Sequence, residues 1–551
     1  MDEKNVKRPL RAFLKPAVIG SVLLFGLFLR LPQLDFPSIG YHNMKENEYI
    51  SMAKHMLKTG NLVDRQVYFY NAFEQKKDFN LYPQIPFVSY QILAGYRLFG
   101  DHLWFPRLVN IFLMLGAFLL LYRIAGLLNL AAWPRFAVLF LLAVMPLGVF
   151  FARNLQAESG AFFFMCAGNA LGLHFIRSNK RGYLAVFSLA LAVTAAYKLA
   201  FLIGFLPVIA LMPFKEYARR RGIKSIAADL MIIAVPITGF ALYCILTGQT
   251  TFSEAGDRVR LLRVFTPLYW RTSGPVIRHY LLNENFTVVY SVLSAAGLLL
   301  AWLSLRADQS IFARYLRAWS LCLIPYMMVF SDYINQHNYY QMPFLGLAVF
   351  AVVYALERVS AWTSAFLKTG PNPRIFVILF IAAFLAAVPA MRIAVAGHFR
   401  MIYPGADTAG LYLKQKMEPD EKFFIYSTCQ GYAPCVYAQR RCGWPVGLEE
   451  FKRIEAEEQI RYAVIYPFGY INTMPAEMKE YLLRSYRVES LGFLSDGKNI
   501  VPQSVVLRKG GVVDIDGFVK KNLLHAQRVT VYRTAQGSIP FYEITDAEAG
   551  R

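Results

Sequence analysis

Apolar residues in this chain come in long runs separated by short polar stretches, and the runs have the length a bilayer demands. A hydrocarbon core takes about 20 apolar residues per helix. Eleven runs approach that length with few charges: 17–33, 103–122, 135–152, 158–176, 183–197, 199–214, 226–247, 286–305, 315–331, 340–357 and 375–396. The fifth and sixth are short and nearly continuous, broken only at Tyr197-Lys198, which predicts a tight hairpin at the membrane surface. Beyond residue 397 the pattern changes. Strand-like stretches from Phe423 to Ser427, Tyr462 to Tyr466 and Ser504 to Leu507 alternate with polar helical ones such as 449–460, which predicts a small α/β or α+β unit. The expected fold is a polytopic α-helical membrane protein of about 11 transmembrane helices with a C-terminal α/β domain. Its parts are a cytoplasmic N-terminus over 1–16, a membrane domain over 17–396 with external loops 34–102 and 248–285, and a soluble domain over 397–551.

Composition agrees: 56% of residues are hydrophobic and 17% charged, with a mean hydropathy of +0.36, far from a soluble average. The formal charge of +22 is scattered among apolar runs and forms no basic face on a soluble domain, so nucleic acid is not an expected partner and membrane lipid is. The first run follows a basic stretch but no small-residue cleavage site follows it, which makes it a retained anchor rather than a signal peptide. Cytoplasmic loops keep an excess of Lys and Arg. With the basic N-terminus inside, the loops around Arg177-Lys180-Arg181, Lys215-Arg219-Arg220-Arg221-Lys224, Arg306-Arg314-Arg317 and Arg358-Lys368-Arg374 all fall inside too. An odd number of spans then sends the C-terminal domain outside, together with loop 34–102, a short loop near 153–157, the turn at Lys198, loop 248–285 and the loop near 332–339. A bacterial inner membrane with the working face on the periplasmic or extracellular side is the expected location.

Cys166, Cys244 and Cys322 fall within apolar runs and read as small fillers, whereas Cys429, Cys435 and Cys442 cluster in the external domain, where one disulfide with one thiol left over, or less readily a metal site, would fit. No cofactor is demanded, and a divalent metal is left open. The first external loop carries more chemistry. Tyr49, Met52, Ala53, Met56 and Leu57 recur at helical spacing, which predicts a short amphipathic helix on the membrane surface with Glu46 and Glu48 at its start. Asn43 followed three residues later by Glu46 also matches a capping box, a purely local role that leaves Glu48 unexplained.

At these residues the chain resembles the GT-C class of membrane glycosyltransferases, in particular the branch with protein O-mannosyltransferases and the lipid A aminoarabinose transferase. In that branch a short acidic motif opens an amphipathic helix just after the first span, and Lys45-Glu46-Asn47-Glu48-Tyr49 sits in that place, with Lys45 where an Asp is usual, so that Glu46 or Glu48 takes the carboxylate role. Tyr82-Pro-Gln-Ile-Pro86 resembles the start of the family's second surface helix, and Arg153-Asn-Leu-Gln-Ala-Glu158 the site of its second essential acid. Ala195-Ala-Tyr-Lys198 resembles a Thr-Lys-Gly-type turn, and His337-Asn-Tyr-Tyr-Gln-Met-Pro343, with Tyr339 and Tyr340, a His-x-Tyr-Tyr-x-Leu-Pro pattern before a late span. The resemblance covers about residues 10–400. Each residue also has a plainer reading: Glu158 as a helix-terminal acid, Arg153 and Lys198 as snorkelling cations, and the aromatics around His337 as an interfacial belt.

The resemblance implies a donor in which a sugar is joined to a polyprenyl phosphate, and a hydroxyl acceptor activated by a carboxylate. Glu46, Glu48 and Glu158 are the candidate catalytic residues, and Tyr82, Arg153, His337, Tyr339 and Tyr340 the candidate substrate contacts. Loop 248–285 adds Arg258, Arg260, Arg263, Arg271 and Arg278, cations that run against the positive-inside tendency; with Lys198 they are candidates for holding the donor phosphate, unless the loop's own acids, Glu254, Asp257 and Glu284, pair with them. Glycine patterns for nucleotide phosphates are absent, which disfavours a nucleotide-sugar donor. A lipid-linked glycan ligase would share these features. A transporter or flippase of polyprenyl-linked sugars would place charges in mid-span and often show internal repeats, and no repeat is detectable here.

Overall fold

The computed structural model describes residues 3–63, 65–69, 85–247, 261–427, 431–445, 447–495, 499–534 and 537–546. They group into two compact bodies. The first takes the described parts of Met1–Pro32, Asn80–Phe87 and Arg107–His398, and the second those of Gln33–Phe79, Val88–Pro106 and Phe399–Arg551.

The first body is helical, and each predicted apolar run corresponds to helix. Among the described residues five helices are long and apolar enough to cross a membrane: Trp104–Leu127, Glu158–Ser178, Ile223–Leu246, Asn338–Phe366 and Pro373–Arg400. A sixth is added if Gly274–Asn285 and Thr287–Leu303, bent by 109° at their junction, count as one broken span. The other apolar helices, Pro16–Phe28, Ala132–Val144, Arg181–Tyr197 and Leu199–Ala210, are shorter. Length and apolarity thus support an integral membrane protein without by themselves reaching eleven crossings. Several runs are shortened because they break. The third stops at Met145 and restarts as Pro146–Phe151, with proline in the first helical turn, where its missing N–H is harmless. The break leaves carbonyls to satisfy, and the buried guanidinium of Arg30 does so, donating to Ala143 O at 2.9 Å, Gly148 O at 3.1 Å and Gly26 O at 2.6 Å.

The second body centres on a seven-stranded sheet of order β2-β1-β3-β5-β4-β7-β6. Its strands are β1 (Phe423–Ser427), β2 (Cys442–Gly443), β3 (Tyr462–Tyr466), β4 (Tyr486–Ser495), β5 (Ile500–Lys509), β6 (Gln527–Thr534) and β7 (Gly537–Thr545). β1 pairs in parallel with β2 and β3, and the remaining pairs are antiparallel. Phe424, Ala463, Ile465, Leu491, Val505 and Leu507 bury one face under the helices Leu448–Glu457 and Ala476–Ser485 through Phe451, Ile454, Met478 and Leu482. A disulfide joins Cys435 to Cys442; Cys429 lies outside the described residues. Cys166, Cys244 and Cys322 are buried free thiols, as fillers would be.

Most of the segment 34–102 belongs to this same body. Gly40 bridges to Ile402, Tyr403 N donates to Ile39 O at 2.8 Å, Cys442 N donates to Tyr68 O at 2.8 Å, and Phe69 stacks on Tyr432 with ring centroids 5.0 Å apart. The helix Asn43–Thr59 is accordingly not a half-exposed surface helix: Asn43, Glu46, Asn47, Glu48, Ser51 and Lys54 are buried along with Tyr49, Ile50, Met52, Ala53 and Met56, while Leu57 of the predicted stripe is exposed. Nor does Asn43 cap it. The N-cap is His42, in a left-handed conformation with no side-chain cap bond.

Asp407 opens the helix Ala406–Lys416 and is buried, with the Tyr532 hydroxyl donating to its Oδ1 at 2.5 Å. Burial pushes its carboxyl up to about 6, against the usual 3.8. The neutral form is thus favoured by folding, and this contribution is complete below about pH 4 and lost as the pH rises through 6. Asp407→Asn is expected to raise the unfolding temperature of the protein at pH 7.5, by the equivalent of up to about 3 kcal/mol, with the advantage gone below pH 4. Thermal melts in detergent across that range check it, and an advantage independent of pH would contradict it.

Candidate functional site

Two of the broken runs in the first body meet. Lys198 follows the helix Arg181–Tyr197 in an extended conformation (φ −165°, ψ 114°) and leads into the 3-10 turn Leu199–Phe205. His337 is likewise extended (φ −139°, ψ 114°) and leads into the 3-10 turn Asn338–Phe344. The two turns pack on each other. Lys198 Nζ donates to Glu158 Oε1 at 2.5 Å and lies over the rings of Tyr340 and Tyr339, 4.4 and 4.7 Å from their centroids. Glu158 is buried, 2% exposed, at the first turn of its helix, where the helix dipole favours an anion. Its charge is nonetheless costly at that depth, and Lys198 is the group that offsets it. The His337 ring stacks on Tyr339 at 5.0 Å, and Phe151 meets Tyr339 edge-on at 5.6 Å.

The helix Glu158–Ser178 fixes this arrangement through its small residues. A Cβ on Gly160 would stand 2.3 Å from the Tyr197 ring, so only glycine lets the residue before Lys198 lie flat on that helix. Phe87 packs against Tyr197 at 4.6 Å, and Ile85 N donates to Ala196 O at 2.9 Å. Arg153 is buried in the irregular stretch ahead of Glu158 and donates to Pro32 O at 2.5 Å. It therefore ties that stretch to the end of the first helix.

The remaining candidates are distributed otherwise. Glu46 and Glu48, both buried, belong to the second body: Glu46 Oε2 accepts from Ser38 Oγ at 2.9 Å, and Glu48 Oε2 accepts from Lys45 Nζ at 2.7 Å. Arg263 is ion-paired with Asp332, an acid on another segment than the loop acids expected to compete for it. Arg271 and Arg278 are exposed and join none of the ion pairs among the described residues. Tyr82, Arg258 and Arg260 lie outside the described residues.

Glu284, expected from the sequence to pair with the loop arginines, instead joins Asn285 in a polar group around the Asn338 turn that the sequence did not reveal. Glu284 and Asn285, in the π-helical turn Tyr280–Asn285, reach the turn that carries Tyr339 and Tyr340. Asn338 Nδ2 donates to Glu284 Oε2 at 2.6 Å, and Asn285 Nδ2 donates to Asn338 O at 3.0 Å and to Gln341 Oε1 at 2.8 Å. The available signal was the polar triplet Asn283-Glu284-Asn285 immediately before an apolar run. Among the described residues no group of three or more His, Cys, Asp or Glu is placed to hold a metal ion.

No protein-family model matches the chain, and none of the curated proteins matches it by sequence. Solved structures do match by fold. ArnT from Cupriavidus metallidurans in the apo state superposes with a TM-score of 0.54 at 17% identity, over 89% of this chain and 98% of that one. The archaeal oligosaccharyltransferase AglB from Archaeoglobus fulgidus, in complex with an inhibitory peptide and a dolichol-phosphate, gives 0.54 at 12%, over 89% of this chain and 74% of that one. The Archaeoglobus fulgidus oligosaccharyltransferase with Zn and sulfate gives 0.51 at 13%, over 88% and 73%. The fold is that of the GT-C glycosyltransferases. Within this fold the chain carries its buried Glu158–Lys198 pair at the junction of two interrupted helices, with aromatic faces under the ammonium.

Gly160→Val should force the Tyr197 ring off the helix and lower stability by about 1–3 kcal/mol, the usual cost of overpacking. In a Tyr197→Ala chain the same substitution should cost markedly less. Melting temperatures of both single variants and the double in detergent test this, and an equal cost of Gly160→Val in the two backgrounds would show that the Gly160 contact is not what seats the Lys198 turn.

Proposed function

We propose that this protein is an integral-membrane glycosyltransferase that moves a sugar from a polyprenyl-phosphate donor to a hydroxyl acceptor, which a lipid, a lipopolysaccharide, a glycan or a protein could supply. The observation that carries the reading is the Lys198 ammonium, held at 2.5 Å by buried Glu158 over two tyrosine faces in a GT-C fold. A preset cation of this kind suits a phosphate, and a fold neighbour is solved with a dolichol-phosphate.

In this reading the acceptor oxygen attacks the anomeric carbon, the bond from that carbon to the phosphate oxygen breaks, and polyprenyl phosphate leaves with the electron pair. The acceptor proton passes to a carboxylate, Glu46 or Glu48. Lys198 stabilises the charge growing on the departing phosphate, where a cation counts most. Glu158 orients Lys198, while His337, Tyr339 and Tyr340 shape its surroundings and Arg153 secures the stretch leading to Glu158. Of the loop cations, Arg271 and Arg278 suit recruitment of the anionic donor better than Arg263, which Asp332 already engages. One displacement inverts the anomeric centre. Eleven crossings, with residues 397–551 and the working face on the outer side of the inner membrane, complete the proposal.

At least one of Glu46→Gln and Glu48→Gln should cut transfer by roughly 10²–10⁴ with the fold retained, and Glu158→Gln should lower transfer as well, by releasing Lys198 from its place. Lys198→Ala should raise the requirement for a polyprenyl-phosphate sugar. Purified protein offered that donor or a nucleotide sugar, each with a hydroxyl acceptor, gives the decisive comparison: transfer from the nucleotide sugar alone, indifferent to Lys198, would refute the lipid donor. A reporter active only outside the cytoplasm, fused after Arg551, should be active, and activity only from a cytoplasmic reporter would reverse the orientation.

A further inference from the structure

The turn bearing Tyr339 and Tyr340 is gripped by a second set of polar groups besides Lys198. Asn285 is fully buried, and its amide spends both hydrogens there, one on the backbone carbonyl of Asn338 and one on the side chain of Gln341, the residues that bracket the two tyrosines. Glu284 takes the Asn338 side chain at 2.6 Å. Two histidines flank the same carboxylate, His279 Nε2 3.2 Å from Oε1 and His398 Nε2 3.6 Å from Oε2. From the other direction Tyr326 donates its hydroxyl to Tyr340 O at 2.7 Å.

The local backbone is costly. Glu284 and Asn285 end a π-helical turn, and Thr287, a β-branched residue, follows in the left-handed region at φ +69°. Such a conformation costs on the order of 1–3 kcal/mol and persists where the surroundings over-determine it, commonly beside functional sites. The 109° bend between Gly274–Asn285 and Thr287–Leu303 turns this polar end toward the Asn338 turn and away from a continuous helix. A part-buried carboxylate and a buried amide are a poor way to fill space. They are a good way to fix the height and tilt of a short 3-10 turn.

We infer that Glu284 and Asn285 are positioning residues that set the Tyr339 and Tyr340 faces, and through them the place of the Lys198 ammonium. The role rests on the reading of Lys198 as the donor-phosphate cation. Neither residue touches donor or acceptor in this scheme. Both act through the tyrosines, so their loss should be felt only while Lys198 is present.

The test is a double-variant cycle on transfer from a polyprenyl-phosphate sugar, joined to a 19F NMR measurement on purified protein carrying 3-fluorotyrosine at position 340. Asn285→Ala is expected to lower transfer about ten-fold, a coupling typical of residues in one network. In a Lys198→Ala chain the same change should cost nothing further. Glu284→Gln, which keeps an acceptor for Asn338, should retain most of the activity that Glu284→Ala loses, which separates positioning from bulk stability. The fluorine resonance should move in Asn285→Ala and in Glu284→Ala. Losses that multiply in the double variant, or a resonance that stays in place in both single variants, would overturn the inference. A Lys198→Ala chain with normal transfer from the lipid donor, alongside a fluorine resonance that does move, would refute the donor reading while leaving the clamp on the tyrosines standing.

Discussion

The membrane body depends on one ion pair. Glu158 and Lys198 come from separate helices, 40 residues apart, and both are largely removed from water. A charge left alone at such a site is costly: removing one partner of a buried pair typically costs about 3–5 kcal/mol. The pair therefore fixes the start of the helix Glu158–Ser178 against the end of Arg181–Tyr197, and the interruptions that follow are built around it. An extended residue, a 3-10 turn and a glycine contact are weak elements individually. They hold because the charged pair leaves few alternatives for the chain between them.

That dependence explains why the broken helices are an asset here. A continuous span satisfies its backbone internally and presents only side chains. Interrupting it exposes polar backbone that must be matched, and in this protein the matching groups are Arg30 at the Met145 break, Arg153 ahead of Glu158, and Asn285 at the Asn338 turn. All three are buried polar side chains donating to carbonyls of another segment. The same breaks that shorten the apolar helices below spanning length thus create the positions where a charged group can be held.

Much of this was readable in the chain because ionisable residues at the ends of apolar runs are conspicuous. Glu158, Lys198 and the His337-to-Tyr340 segment stand out that way, and β1, β3 and part of β5 stand out by their β-branched and aromatic runs. What was hidden depends on distance along the chain or on local geometry. β6 and β7 also hold strand formers, Val529 to Tyr532 and Phe541 to Ile544, but flanking charges and Pro540 interrupt the runs and pairing completes them. The Asn43-to-Glu46 spacing suggested a cap, but a left-handed His42 starts the helix one residue earlier and Glu46 turns to Ser38. Asp332, the partner of Arg263, lies 69 residues away, beyond what loop composition reveals. Glu284 and Asn285 were visible as polar residues but not as a pair, because only the π-helical turn and the bend aim them at Asn338.

The second body is assembled from pieces of chain made at very different times. Ser38 N bonds the Tyr437 hydroxyl across 399 residues, and Tyr68 meets Cys442 over a comparable interval. At synthesis rates of about 5–20 residues per second, the first loop emerges roughly 20–80 s before the residues that cover it. During that interval the strip from Ile39 to Phe69 has no sheet to pair with, and the helix Asn43–Thr59, with its buried Glu46 and Glu48, lacks part of its packing. Ser38, whose hydroxyl Glu46 accepts from, is therefore tethered at its backbone only once Tyr437 has been made. A ribosome that stalls or a gene truncated before Tyr437 would leave the acids of the first loop with their local partners but without that tether, so that completion of the chain decides when this segment is fully held.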